Sequence, residues 1–212
     1  MKLFSISTIA AALALTSLSS CYKRDNYYVD PNTPVYQYSF SDDFNYDNHN
    51  WSFIDPAHNS QVYVSNGQLS YEYHPAANLI GTVAINTGWY STLNRWDIQS
   101  RISSDNAMGL VWGVSNSDNG YSFFIDNRGY FAVYDEGTAG GPSTTLIDWT
   151  QNTAIRNGWN NIEVEQVNNT WVGYINNTQV FSIAAHSLYG DQIGFEVLSN
   201  TNGSADYLDV KW

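Results

Sequence analysis

Residues Ala107–Glu136 read AMGLVWGVSNSDNGYSFFIDNRGYFAVYDE, and their pattern decides the fold. Met108, Leu110, Trp112 and Val114 alternate with Gly109, Val111 and Gly113. After the turn residues Ser117-Asp118-Asn119-Gly120 comes a second run, Tyr121-Ser122-Phe123-Phe124-Ile125. A third, Tyr130-Phe131-Ala132-Val133-Tyr134, follows Asn127-Arg128-Gly129. Successive side chains of a strand point to opposite faces, so the alternation gives one buried face and one that is exposed or ligand-facing. Asn and Gly between the runs accept the positive φ that tight hairpins need. The stretch predicts three antiparallel strands in a meander.

The same pattern repeats on both sides. Upstream, Val35 to Phe40 alternates and runs into Ser41-Asp42-Asp43-Phe44, and Trp51 to Ile54 re-enters the core. Gln61–Val64 and Gln68–Tyr73 flank Asn66-Gly67, a hairpin signal. Thr82–Ile85 and Trp96–Ile102 are further strands. Downstream, Leu146–Trp149 and Thr153–Ile155 flank a loop, and Trp159–Val167 and Thr170–Ile175 form a hairpin across Asn168-Asn169. Gln179–Ile183, Gln192–Leu198 and Tyr207–Trp212 close the chain. Ala184–Tyr189 has room for one short turn, and no segment carries an apolar period of helical length. Many short strands at regular spacing predict an antiparallel sandwich.

Composition agrees. Of 212 residues 16% are aromatic, including eight Trp and sixteen Tyr, against 13% charged. Rings of that size bury enough area for a large core without disulfides, and the single Cys, Cys21, excludes a disulfide framework. A formal charge of -12 and the absence of a basic patch exclude nucleic acid as a partner.

The first residues read as an address. Lys2 and the apolar run Leu3–Leu18 form a signal peptide over residues 1–20, too short for a lasting membrane span. Leu18-Ser19-Ser20-Cys21 resembles the lipobox of bacterial lipoproteins, which implies cleavage before Cys21, lipidation of its thiol and a membrane anchor. Tyr22 rather than Asp after the Cys implies the outer membrane, on its periplasmic side or at the cell surface. Residues 21–34 are polar, hold Pro31 and Pro34, and read as a flexible tether to a domain spanning 35–212.

Within that domain an ordered set of motifs resembles the concanavalin-A-like lectin/glucanase superfamily, in particular its laminin-G-like branch and the 3-keto-disaccharide hydrolase domain family. The set is Phe40-Ser41-Asp42-Asp43-Phe44 with Trp51, Asn66-Gly67, Gly109-Leu110-Val111-Trp112-Gly113, Gly129-Tyr130, Gly158-Trp159-Asn160-Asn161-Ile162-Glu163-Val164, and Ile193-Gly194-Phe195. The resemblance implies an all-β, antiparallel jelly-roll sandwich with any sugar site on the concave face or its rim. It also implies a structural calcium between the first and last strands, with Asp42, Asp43 and Asp209 as ligands. Turn and cap hydrogen bonding by these Asp residues is the competing reading, and no other cofactor is required.

A sugar site needs a flat ring for stacking and Asp, Gln or Arg for hydrogen bonds. Asp97, Gln99 and Arg101 share one face of a strand whose other face, Trp96, Ile98 and Ile102, is apolar. That polar row is either a solvated outer face or a ligand face. Phe124 and Asp126 share the face opposite Tyr121 and Phe123, and Trp89, Tyr134 and Trp149 sit near strand ends. These eight residues, Asp97, Gln99, Arg101, Phe124, Asp126, Trp149, Trp89 and Tyr134, form the candidate carbohydrate-binding set. The Glu-x-Asp-x-x-Glu strand of family 16 glucanases is absent. Glu163 and Glu165 share a face at strand spacing, but alternation with Ile162 and Val164 explains that alone. The expectation is a lipid-anchored domain that binds a polysaccharide or oligosaccharide without cleaving it. A glycoside hydrolase and an adhesion protein are the alternatives.

Overall fold

A computed structural model of the protein describes residues 36–89, 93–115, 119–137 and 143–212. The signal peptide, Cys21 and the tether lie outside the described residues, as do Tyr90, Ser117 and Asp118. In chain order the strands are β1 (Ser39–Asp42), β2 (Phe53–Asp55), β3 (Ser60–Ser65), β4 (Gln68–Tyr73) and β5 (Ile80–Asn86). β6 (Arg95–Ser104), β7 (Ala107–Val114), β8 (Tyr121–Asp126), β9 (Tyr130–Asp135) and β10 (Thr144–Gln151) follow. β11 (Asn160–Val167), β12 (Thr170–Ile175), β13 (Thr178–Ala184), β14 (Gln192–Leu198) and β15 (Thr201–Lys211) complete the set, with no helix among the described residues.

These strands make two antiparallel sheets. One has nine strands, in the order β13-β12-β11-β6-β15-β4-β3-β2 with β1 also on β15; the other has six, β10-β9-β8-β7-β14-β5. The predicted meander is β7-β8-β9. Hairpins of the nine-stranded sheet follow turn chemistry: Asn66 and Gly67, between β3 and β4, both have positive φ, 54° and 74°, and so do Asn176 and Asn177, between β12 and β13, at 49° and 66°. Two successive positive-φ residues match the twist of a tight hairpin.

Three boundaries differ from the sequence reading. The first strand begins at Ser39; before it, the Gln37 and Tyr38 N–H groups donate to the Trp212 carbonyl and the Tyr38 carbonyl accepts from the Trp212 N–H. The last strand begins at Thr201, not Tyr207. Thr201–Ala205 has almost no apolar pattern, but it is laddered on both sides, to β4 and to β6. Ala184–Tyr189 makes no helical turn; β13 ends at Ala184 and the next residues are irregular.

The core lies between the sheets and is built of rings. Trp96 (β6) and Trp171 (β12) enter from the nine-stranded sheet and Trp112 (β7) and Tyr121 (β8) from the other. Trp112 and Trp171 meet edge to face at 5.3 Å, Tyr121 and Trp171 at 4.6 Å, and Trp96 lies 6.3 Å from Trp112. Such pairs contribute about 0.5–1.5 kcal/mol each beyond the area they bury. The Trp171 indole N–H donates to Gln166 Oε1 at 2.8 Å. Those of Trp89, Trp96 and Trp112 have no hydrogen-bond partner among the described residues.

Trp171→Ala would leave a cavity at the centre of this cluster and strand the Gln166 amide, at a cost of about 3–5 kcal/mol. Urea or guanidinium unfolding should show a correspondingly lower midpoint; a loss below about 1 kcal/mol would mean that the rings do not carry the core.

Candidate functional site

The outer face of the six-stranded sheet carries an unexpected aromatic surface. Phe124 points away from the core yet is fully buried, flanked across the ladder by Gly109 on β7 and Ala132 on β9. Those small neighbours leave room for other rings to lie against it. One is Tyr134, whose ring centroid is 6.3 Å away, and the other is Trp149, at 6.4 Å. A bulge in the edge strand β10 aims Trp149. Ile147 pairs with Val133 and Thr150 with Phe131, three residues against two, so Asp148 and Trp149 both lie opposite the outward-facing Ala132. A bulge re-aims a side chain in this way by adding one residue to one strand.

The turn between β8 and β9 supplies the polar part. Asp126 is 3% exposed, and its Oδ1 accepts from the N–H groups of Arg128 and Tyr130, both at 2.9 Å. Its Oδ2 accepts from Arg128 Nε at 2.8 Å and pairs with the same guanidinium at 2.7 Å. Thus held, the guanidinium lies 5.8 Å over the Tyr130 ring. Arg128, Tyr130, Trp149 and Gln151 line an open cleft of about 510 Å³. Its walls offer flat apolar rings, a fixed cation with free donors, and an amide that both donates and accepts.

The outer face of the nine-stranded sheet is different. Here stand Asp97, Gln99 and Arg101, with Glu165 opposite Asp97, Glu163 opposite Gln99, and Lys211 and Asp209 on the other flank. Gln99 Nε2 donates to Asp97 Oδ2 at 2.8 Å, while Asp97 Oδ1 is buried without a hydrogen-bond donor among the described residues. Arg101 pairs with Asp206 at 2.8 Å and lies 5.1 Å over the Trp159 ring. Burial raises the Asp97 carboxyl from 3.8 to about 6. Burial, then the charges of Asp97 and Glu165, raise Glu163 from 4.5 to about 7. Beside Glu163 a pocket of about 40 Å³ includes Gln99, Asn161, Tyr174, Asn177 and Tyr207 in its lining.

The fold is similar to that of solved structures. The xylan β-1,4-xylosidase of Bacillus halodurans C-125 superposes with a TM-score of 0.56 at 12% identity, over 86% of this chain and 41% of that one. A family 16 endo-glucanase from Bacteroides ovatus gives 0.50 at 11% identity, over 81% of this chain and 99% of that one. A Bacteroides ovatus family 16 structure from a mixed linkage glucan PUL gives 0.51 at 12% identity, with the same coverage. The fold is the concanavalin-A-like jelly roll. No protein-family model and no curated protein matches the sequence.

The jelly roll separates the eight residues of the sequence-derived sugar set. Phe124, Tyr134 and Trp149 come together, and Asp126 stands beside them as the residue that positions Arg128. Asp97, Gln99 and Arg101 do not join them, because β6 belongs to the other sheet. Trp89 is a core residue, 1% exposed and edge to face with Trp96 at 5.5 Å.

Asp42, Asp43 and Asp209 do not converge either. Asp42 points inward and accepts from the Phe44 N–H at 2.9 Å, the Trp51 indole at 2.9 Å and His49 Nδ1 at 2.7 Å. Asp43 caps Asn45, and Asp209, on the outer face, accepts from the Ser41 hydroxyl. Among the described residues no group of three His, Cys, Asp or Glu side chains gathers to hold a metal ion. Sequence reasoning missed Arg128, Tyr130 and Gln151. The spacing Asp126-x-Arg128-Gly129-Tyr130 was the available signal, an Asp that caps a glycine turn while reaching an Arg two residues on.

With both carboxyls raised, the folded chain binds more protons than the unfolded chain between about pH 4 and 7, so stability falls as pH rises through that window. Glu163→Gln removes one of the two groups. Its melting temperature should exceed that of the parent by a few degrees at about pH 8 and match it near pH 4; equal values at both would show that Glu163 titrates normally.

Proposed function

We propose that this protein binds carbohydrate without cleaving it, along the outer face of the six-stranded sheet, and that a lipid on Cys21 holds it in the outer membrane. The observation that carries the reading is the cleft of Arg128, Tyr130, Trp149 and Gln151. Sugars present apolar C–H faces and rows of hydroxyls. Trp149 and Tyr130 offer ring faces to the former, and Arg128 and Gln151 offer donors and an acceptor to the latter. Asp126 fixes the guanidinium before any ligand arrives, which lowers the entropy lost on binding. Among the described residues no carboxylate lines the cleft, which favours binding over acid–base chemistry. The named substrates of the similar solved proteins, xylan and mixed linkage glucan, support a saccharide partner. The lipobox-like Leu18-Ser19-Ser20-Cys21 supports the anchor.

One observation favours hydrolysis as a second reading. Glu163 is raised to about 7 in a polar pocket beside Asp97, as a general acid would be. That reading requires release of reducing ends from a glycan that Glu163→Gln abolishes and Trp149→Ala leaves intact.

The binding reading predicts retardation of the protein in affinity gels cast with xylan or mixed-linkage glucan. Trp149→Ala should abolish it and Arg128→Ala should weaken it about tenfold, both with the far-UV circular dichroism of the folded parent. Equal retardation of Trp149→Ala and the parent would place the site elsewhere.

A further inference from the structure

The two sheets part company at one edge, and there the sandwich holds a second cavity of about 300 Å³. Strands β2, β3 and β4 of the nine-stranded sheet form one wall and β5 of the six-stranded sheet the other. The floor is made of rings, the buried Tyr71 and Tyr73 and the half-buried Phe53. Tyr71 and Tyr73 lie 6.1 Å apart, and Phe53 meets Tyr71 edge to face at 6.2 Å. Gly81 on β5 allows this. A Cβ built there would lie 2.6 Å from the Tyr71 hydroxyl and 3.0 Å from the Tyr73 ring, so any larger residue would push the floor into the cavity.

The polar groups at the rim are unusual in what they leave free. His58 Nδ1 donates to Asp55 Oδ2 at 2.7 Å, and this bond holds the Asp55 carboxyl below the usual carboxylate range. With Nδ1 donating, neutral His58 keeps Nε2 as an acceptor. Thr82 spends its hydroxyl proton on Glu196 Oε1 at 2.9 Å, and Tyr73 spends its own on the Ile80 carbonyl at 3.2 Å. Asp55, His58, Thr82 and Tyr73 in the lining keep lone pairs for a ligand, and the Ser60 and Tyr71 hydroxyls stand in the same lining. A complementary ligand donates many hydrogen bonds, has an apolar face for the rings, and carries no negative charge that Asp55 would repel. A neutral sugar ring meets all three conditions, and 300 Å³ is at the small end of ligand pockets, suited to one ring rather than a chain.

We propose that this edge pocket is a second carbohydrate site, one that takes a single neutral sugar ring such as the end of a glycan. The proposal shares the carbohydrate class with the function proposed above but uses none of the same residues. The two sites stand on opposite edges of the six-stranded sheet, β10 and β5.

The test is titration of the isotopically labelled full-length protein with glucose, galactose, xylose and N-acetylglucosamine, followed by amide NMR shifts. At least one sugar should produce saturating shifts in Asp55, His58, Ser60 and Gly81, in the parent and in Trp149→Ala alike. Ile80→Trp, at an exposed mouth position, should abolish them. His58→Ala should weaken binding about tenfold, the effect of losing one acceptor. Shifts confined to Trp149, Tyr130 and Arg128 would overturn the edge pocket and leave the cleft standing. Shifts at the edge pocket alone would do the reverse. Shifts there with ethanolamine but with no sugar would overturn the proposal in favour of a cation site.

Discussion

Ring against ring across the gap between two sheets is the contact on which this molecule depends. Trp96 and Trp171 reach inward from one sheet, Trp112 and Tyr121 from the other, and their centroids lie 4.6–6.4 Å apart. The chain's one Cys is at position 21, so no disulfide ties the domain together. The rings therefore do two jobs. They supply the area that keeps the chain folded, and they lock strand register. A slip of one residue would turn Trp171 or Phe123 to solvent and bring Val172 or Phe124 inward.

Once the inward set is fixed, the outward set has no freedom left, and the two outer faces acquire opposite chemistry. On the six-stranded sheet small residues surround Phe124, and the edge-strand bulge brings Trp149 onto it. A buried carboxylate, Asp126, then holds Arg128 over a tyrosine at the rim. On the nine-stranded sheet the same alternation lines up Asp97, Glu163, Glu165 and Asp209 with Lys211 among them. Burial, and for Glu163 also the charges of Asp97 and Glu165, lets the Asp97 and Glu163 carboxyls keep their protons to higher pH. The first face presents aromatic rings beside one held guanidinium. The second is an electrostatic strain that the core's register imposes.

Much of this was legible residue by residue. Alternation in Trp96–Ile102 named the buried and outward residues of β6 correctly, and Asn-Gly and Asn-Asn pairs marked hairpins where positive φ is found. Phe124 and Phe123 were legible as lying on opposite faces, but which of them faces the core was not. Other features were not. Thr201–Ala205 lacks an apolar period, yet it is a strand because neighbours on both sides satisfy its backbone. For Trp89, near a strand end, the sequence left core packing and a ligand role open, and its ring packs in the core against Trp96. For Asp42 the sequence left calcium and turn bonding open; in the fold it accepts from an indole, a histidine and a backbone amide.

The sequence by itself determined the all-β class, the meander, the hairpin turns and the inward or outward sense of most strand residues. Each of these follows from period-two alternation or from the backbone freedom of Asn and Gly, which act within a few residues. Only the tertiary structure decided which outward residues share a surface. Sheet membership put β6 and β8 on opposite sides of the sandwich, and a bulge on β10 turned Trp149 toward Phe124. Such choices depend on which distant strand lies alongside, and that is settled by how rings from the whole chain fill one shared interior.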